Sequence, residues 1–337
     1  MPEVAGLLVD PVDGANAGVL RIVDGVIEAV ERRDEAEADA LVFPGFLDLQ
    51  VYDARGLLEQ GVTGYLLATR LAKEAELGEG CLGVHLEGPF LNPEAAGAIP
   101  VDELRPVDLA ALEDWLSFPF LRMVTLSPEL PGALEAVALV AARGRVAAVG
   151  HTHANAETVR AALDAGARFA THVWNAMAPV LARATGPVPA LLLDPRPVLG
   201  VIADGRHLHP SIEELTLRVA GPERIALTSD LVPAPAEGPG GALAGGDRAG
   251  AGLVARMARF GLAEAATMAS LVPARVLGLS DRGRLAPGFR ADLAVLDAAF
   301  NPLETVVAGE IGWSVRYPPS KVLDELPPST HAPESGA

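Results

Sequence analysis

Short apolar runs rich in strand-forming residues recur through the middle of this chain, and most are separated by stretches with apolar residues at helical spacing. Eight such runs fall between residues 45 and 230: GFLDLQVY (45–52), TGYLLATR (63–70), CLGVHLEG (81–88), LRMVTLSP (121–128), RVAAVGHT (145–152), RFATHVWN (168–175), VLGVIADG (198–205) and RIALTSD (224–230). The intervening segments 131–143, 155–165 and 211–219 are rich in Ala, Leu and Glu and read as helices. Strands alternating with helices predict a parallel sheet covered on both faces. Eight units in about 250 residues predict a closed (β/α)8 TIM-type barrel over 44–281. Ser211 followed by Glu214 reads as a capping box on one outer helix. The first two connections are short for full helices, so that side of the barrel is expected to be pared down.

The two ends of the chain carry a different pattern. Residues 4–31 alternate apolar and polar positions around the turns DPVDGANAG and VDG, and residues 282–317 do the same. Neither piece buries much alone. Together, 1–43 and 282–320 predict one small β-sandwich domain built from both termini. Residues 321–337 are rich in Pro and Ser and read as a flexible tail. The Gly-rich stretch 237–251 reads as a loop over a site.

Composition narrows the function. The 337 residues include 26 basic and 44 acidic side chains, a net charge of −18. That field repels nucleic-acid backbones and anionic membrane surfaces, so an anionic substrate needs a local Arg or His. The one cysteine, Cys81, excludes an internal disulfide framework and suits a reducing cytoplasm. The start Met-Pro-Glu-Val does not read as a signal peptide, and charges interrupt every apolar stretch before it could span a bilayer.

Active sites of such barrels are built at the C-terminal strand ends. Those ends carry Gln50 and Tyr52, His85 and Glu87, His151, His172, Asp204 followed by His207, and Asp230. A carboxylate and two imidazoles from separate strands match the ligand set of a catalytic zinc site, which keeps one position open for water. Each residue alone has a plainer role. A histidine can be a satisfied polar group, Glu87 can pair with an arginine, and Asp230 can cap its loop. Those roles do not account for all of them gathering on one rim.

The segments GVHLEGPF (83–90), VGHTHANAETV (149–159), THVWNAMAP (171–179), IADGRHLHP (202–210), ALTSD (226–230) and PARVLGLSDRGRLAPGFRADLAVLD (273–297) together resemble the N-acetylglucosamine-6-phosphate deacetylases of the amidohydrolase superfamily. The resemblance runs in order from about residue 20 to 300. It implies a cytoplasmic amide hydrolase that releases acetate and glucosamine 6-phosphate from a phosphorylated amino sugar. It further implies one divalent metal, zinc first, on Glu87, His151 and His172. Asp230 would be the general base and then the acid. Asn175, the backbone of Ala176, Arg183 and His207 would lie around the sugar phosphate. A homodimer, in which a neighbouring subunit helps complete the site, is implied as well.

The chain departs from the family pattern in two places. Gln50 and Tyr52 stand where many amidohydrolases carry a His-x-His pair for a second metal. Ile99 stands where the family has a histidine that polarises the substrate carbonyl, and loss of such a donor typically costs about 10²–10³ in kcat. His153 and His209 are the nearby candidates to replace it. Ile99 therefore also admits a different N-acyl or cyclic amide substrate, or a barrel impaired in catalysis.

Overall fold

The structure, a computed structural model, describes residues 3–33, 40–70, 77–237 and 243–315. The expected tail at 321–337 and part of the Gly-rich stretch (238–242) lie outside these residues. Four strands come first: β1 (Glu3–Asp10), β2 (Gly14–Val23), β3 (Val26–Arg32) and β4 (Leu41–Pro44). Eight more follow: β5 (Phe46–Val51), β6 (Val62–Thr69), β7 (Cys81–Glu87), β8 (Leu121–Leu126), β9 (Val146–Val149), β10 (Phe169–Ala170), β11 (Val198–Val201) and β12 (Ile225–Leu227). A two-stranded hairpin, β13 (Ala236–Glu237) and β14 (Leu243–Ala244), precedes β15 (Leu293–Leu296), β16 (Pro302–Val307) and β17 (Glu310–Ser314).

Strands β5 to β12 form one eight-stranded parallel sheet in sequence order. Each of the eight apolar runs contributes one strand. A bridge between Val51 and Leu231, and an Asp230 N–H bond to the Gln50 carbonyl at 2.9 Å, bring the last strand back to the first and nearly close the barrel. The helices α1 (Leu109–Leu116), α2 (Ala133–Ala142), α3 (Ala156–Ala165), α4 (Val188–Leu193), α5 (Pro210–Ala220) and α6 (Gly250–Met257) pack on the outside. In α3 the Asn155 side chain caps Thr158 N–H, while Val159, Ala162 and Leu163 form the buried face. Leu66, Met123, Ala148, Phe169 and Ala226, one from each of five strands, pack together and are all fully buried.

The connection from β5 to β6 carries only the 3₁₀ turn Leu58–Gln60, so the barrel is pared down there as expected. Residues 71–76 of the next connection lie outside the described residues. The capping box at Ser211 is not formed. Helix α5 starts one residue earlier with Pro210 at its first position, and the His209 ring accepts from Ser211 N–H. Proline suits that first position because its ring presets φ and no amide hydrogen is needed there.

Both ends of the chain meet in a seven-stranded sheet of order β17-β16-β15-β4-β1-β2-β3. Only the β1–β4 pair is parallel. Leu8, Leu20, Ile27, Val42, Leu293 and Val306 form its core. The sheet curls around that core until Ile27 exchanges backbone hydrogen bonds with Phe289 and Gly288, at 2.8 and 2.9 Å respectively. Strand β4 ends at Pro44 and barrel strand β5 begins at Phe46, so the small sheet opens directly into the barrel.

Candidate metal centre and its cavity

Side chains alternate across a strand, so Gln50 shares the face of Asp48, and Glu87 that of His85. The C-terminal rim of β7 brings in Glu87, and the residues just past β9 and β10 bring in His151 and His172. One carboxylate oxygen and one ring nitrogen from each imidazole lie within 4.8 Å of one another. His172 Nε2 is 3.1 Å and His151 Nε2 3.3 Å from Glu87 Oε1, and all three residues are buried. The rings cross edge to face with centroids 4.9 Å apart. His151, His172 and Asp230 have φ of 48°, 28° and 51°, a left-handed region that non-glycine residues seldom occupy and that recurs at functional sites.

The hydrogen bonds around this cluster fit a cation. His151 Nδ1 lies 2.9 Å from the Ala95 carbonyl, which can only accept, so Nδ1 carries the proton. Nε2, the nitrogen left without that proton, then faces the carboxylate of Glu87 at 3.3 Å. Two facing lone pairs repel unless a positive charge lies between them. A carboxylate oxygen and two imidazole nitrogens are also the donor types zinc takes. Burial alone would raise the Glu87 carboxyl; the imidazoles outweigh it and hold the group well below the usual carboxylate range. Gly97, at φ 61°, carries the 88–104 segment past the His151 ring in a backbone conformation that favours glycine.

Gln50 and Tyr52 occupy the places of the absent His-x-His pair as hydrogen-bond donors. Gln50 Nε2 donates to Glu87 Oε1 at 2.8 Å and to Asp230 Oδ1 at 3.0 Å. Tyr52 O–H donates to Glu87 Oε2. An amide N–H₂ set between the two carboxylates takes the position a second ion would need. Burial first, then the charges of Glu87 and Asp48, push the Asp230 carboxyl well above its usual range. A dication beside it acts in the opposite direction.

His85 does not join the cluster. It is fully buried, donates from Nδ1 to the Leu49 carbonyl at 2.9 Å, and accepts at Nε2 from Thr125 Oγ1 at 2.6 Å. Burial, foremost, lowers its pKa and keeps it neutral. Thr125 in turn meets Thr171 at 2.6 Å, across Gly150, which directly follows the intervening strand β9. A Cβ on Gly150 would stand 2.8 Å from one threonine and 2.9 Å from the other, so this polar row requires glycine there.

A cavity of about 340 Å³ opens over the cluster. Its lining takes in Asn175, Ala176, His207 and Asp230 from one side, Tyr52 and Arg70 from another, and Leu243 to Gly245 from the hairpin. The described part of the Gly-rich stretch thus walls the site. His207 Nδ1 bonds Asp204 Oδ2 at 2.8 Å, and its buried Nε2 has no hydrogen-bond partner among the described residues. Arg183 is exposed and is not in the lining. His153 and His209 stay out of it as well. The His153 ring faces Glu94 at 3.5 Å, and His209 caps α5, so neither replaces the missing carbonyl donor. Ile99 does line the cavity, as an apolar wall with Gly97 and Ala98.

Burial raises the Asp204 carboxyl, but the His207 hydrogen bond and the backbone N–H groups of His207 and Arg206 outweigh it and lower the pKa from 3.8 to about 2. A depressed carboxylate contributes stability above its unfolded pKa and loses it as pH falls through the folded one. The stability advantage of wild type over Asp204→Asn should therefore shrink between about pH 4 and pH 2, by on the order of 1–2 kcal/mol. Urea midpoints of both proteins across that window will show it; a constant gap would contradict it.

Comparison with known proteins places this geometry. Residues 60–312 match the family model described as the Amidohydrolase family. The chain is 32% identical to N-acetylgalactosamine-6-phosphate deacetylase of Escherichia coli O157:H7, over 87% of this chain and 94% of that protein. It is 31% identical to human N-acetylglucosamine-6-phosphate deacetylase, over 85% of this chain and 86% of that protein. Among solved structures, the N-acetyl-D-glucosamine-6-phosphate deacetylase of Mycobacterium smegmatis, as an aspartate-to-alanine mutant in complex with N-acetyl-D-glucosamine 6-phosphate, superposes with a TM-score of 0.82. That match has 29% identity and covers 92% of this chain and 98% of that one.

Proposed function

The chain belongs to the amidohydrolase family, and from that premise we propose that it deacetylates N-acetylglucosamine 6-phosphate with one divalent ion, zinc, held by Glu87, His151 and His172. The observation that carries this reading is the convergence of Glu87 Oε1 with the two imidazole Nε2 atoms, in the same cavity as Asp230. When bound, such an ion lowers the pKa of water and polarises the amide carbonyl.

The chain's own groups do the rest. Asp230 takes a proton from the attacking water as the new C–O bond forms. It returns that proton to the sugar nitrogen as the C–N bond breaks, without which the amine is too poor a leaving group. Gln50 holds the Asp230 and Glu87 carboxylates in register. Tyr52 holds Glu87 Oε2, so Oε1, which also accepts from Gln50, is the oxygen that would face the ion. Asn175, the Ala176 backbone and His207 form the wall we assign to the sugar phosphate.

Arg183 sits beside exposed Val180 and Leu181, an apolar edge suited to a subunit contact. We assign it to the phosphate bound in a neighbouring subunit of a homodimer. The lone free cysteine and the phosphorylated substrate suit the cytoplasm.

Zinc-loaded protein should release one acetate per N-acetylglucosamine 6-phosphate. No release above buffer with metal bound would overturn the reading. The galactosamine epimer is the second substrate to measure, because the Escherichia coli relative acts on it. A higher kcat/KM for that epimer would transfer the assignment to it. A different N-acyl or cyclic amide, or a barrel impaired in catalysis, has less support, because both relatives above are hexosamine-phosphate deacetylases.

A further inference from the structure

An amide oxygen that gains negative charge during hydrolysis needs hydrogen-bond donors aimed at it. The wall formed by Gly97, Ala98 and Ile99 offers no side-chain donor. Apart from the two histidine ligands, the donor side chains among the described lining residues are Tyr52, Arg70, Asn175 and His207. Tyr52 is committed to Glu87, Asn175 bonds the His172 carbonyl, and His207 Nδ1 bonds Asp204. Asn175 and His207 also follow β10 and β11, the side assigned above to the sugar phosphate.

Arg70 is placed differently. It follows β6, the strand between those that carry Tyr52 and Glu87, and its charge is near enough to counter part of the rise in the Tyr52 pKa. Its Nε lies 2.5 Å from Glu103 Oε2 and its Nη2 3.4 Å from Glu103 Oε1. Glu103 ends the 3₁₀ turn Val101–Glu103, four residues beyond Ile99. The ion pair therefore ties Arg70 to the segment that forms the apolar wall. With the sugar phosphate assigned to the β10 and β11 side and the reacting carbon to the metal cluster, the part of the cavity left for the acyl group is the one lined by Tyr52, Arg70 and Gly97 to Ile99.

We propose that Arg70 is a catalytic residue that donates a hydrogen bond to the acyl oxygen, supplying what isoleucine at position 99 cannot. This rests on the deacetylase reading above. A guanidinium keeps its charge at every working pH and presents several N–H groups in a fixed plane, so it donates to the developing oxyanion while still bonded to Glu103. No proton is transferred; the hydrogen bond strengthens as charge builds on the oxygen.

The test uses zinc-loaded full-length protein with Arg70→Met and, as a variant that keeps a cation for Glu103, Arg70→Lys. Arg70→Met should lower kcat on N-acetylglucosamine 6-phosphate by about 10²–10³-fold, with KM changed by no more than about threefold. Unphosphorylated N-acetylglucosamine should show the same fractional loss. Ile99→His in the Arg70→Met background should recover at least about tenfold of the lost rate. Binding gives a readout independent of turnover. A phosphonamidate mimic of the tetrahedral intermediate should bind Arg70→Met at least about tenfold more weakly than wild type.

A loss confined to KM that vanishes on the unphosphorylated sugar would make Arg70 a phosphate anchor and overturn the proposal. So would unchanged kcat with unchanged analogue affinity in a folded variant. Should wild type leave the sugar phosphate intact yet bind the analogue in an Arg70-dependent manner, the substrate reading falls and the role of Arg70 stands. Should wild type, with metal bound, neither turn over nor bind, both fall.

Discussion

Asp230→Asn will lower kcat for the acetamide by about 10⁴-fold, the upper end for one acid–base group, because in the proposed reaction the same carboxylate serves in both proton transfers. Three features keep the result interpretable. Asp230 is not one of the three clustered ligand atoms, so metal content should hold. The asparagine oxygen can still accept from Gln50 Nε2, which lies 3.0 Å from Asp230 Oδ1. Removing the carboxylate also relieves the burial and repulsion that push its pKa up, so the variant should be at least as stable as wild type. Steady-state kinetics, metal analysis and a thermal melt on the same preparation will check all three. Retention of more than about a tenth of wild-type kcat would remove Asp230 from the proton-transfer role.

Glu87→Gln should weaken zinc binding by more than about 10²-fold, since even residues that merely orient a ligand are worth 10–100-fold. The carboxylate here is one of three protein donors and the sole negative one. Stabilisation by a bound ion scales with the logarithm of its concentration over Kd. At a zinc concentration about 100 times the wild-type Kd, wild type gains about 2.7 kcal/mol. A variant bound 100-fold more weakly gains about 0.4 kcal/mol at that concentration. Denaturation with and without zinc therefore separates the two without any assay of turnover. Shape is preserved, because the amide oxygen can still accept from Gln50 Nε2, and the Tyr52 hydroxyl, which accepts as well as donates, can turn to receive the new amide N–H. An equal zinc-dependent shift in both proteins would show that Glu87 is not a ligand.

Residue periodicity carried the architecture well. Each of the eight apolar runs became a barrel strand, because a strand covered on both faces must be apolar along its length. The terminal hairpins were legible from their alternation and turns, although their union in one sheet depends on contacts such as Leu8 and Val42 with Leu293, far apart in the chain. Local chemistry at the strand ends was read less completely. His85 and His151 look alike in sequence, each at a strand end. Only the partners, Thr125 and Leu49 for one and Ala95 and Glu87 for the other, separate a structural imidazole from a proposed ligand. The helix start at His209 was missed because a capping box and a proline at the first helical position compete within a few residues, and the proline prevailed.

What the order of residues settled unaided was the set of elements and the residue types on the rim: Glu87, His151, His172 and Asp230 are present whatever the coordinates. Periodicity and side-chain chemistry are local properties, so they are written along the chain. Closure of the barrel decided the remainder. It set the Gln50 amide between two carboxylates, kept His153, His209 and Arg183 out of the cavity, and brought Arg70, unremarkable in sequence, into the same lining as Ile99. Such neighbours are chosen by strand order and the reach of side chains across the barrel mouth, distances that separation along a polypeptide does not encode.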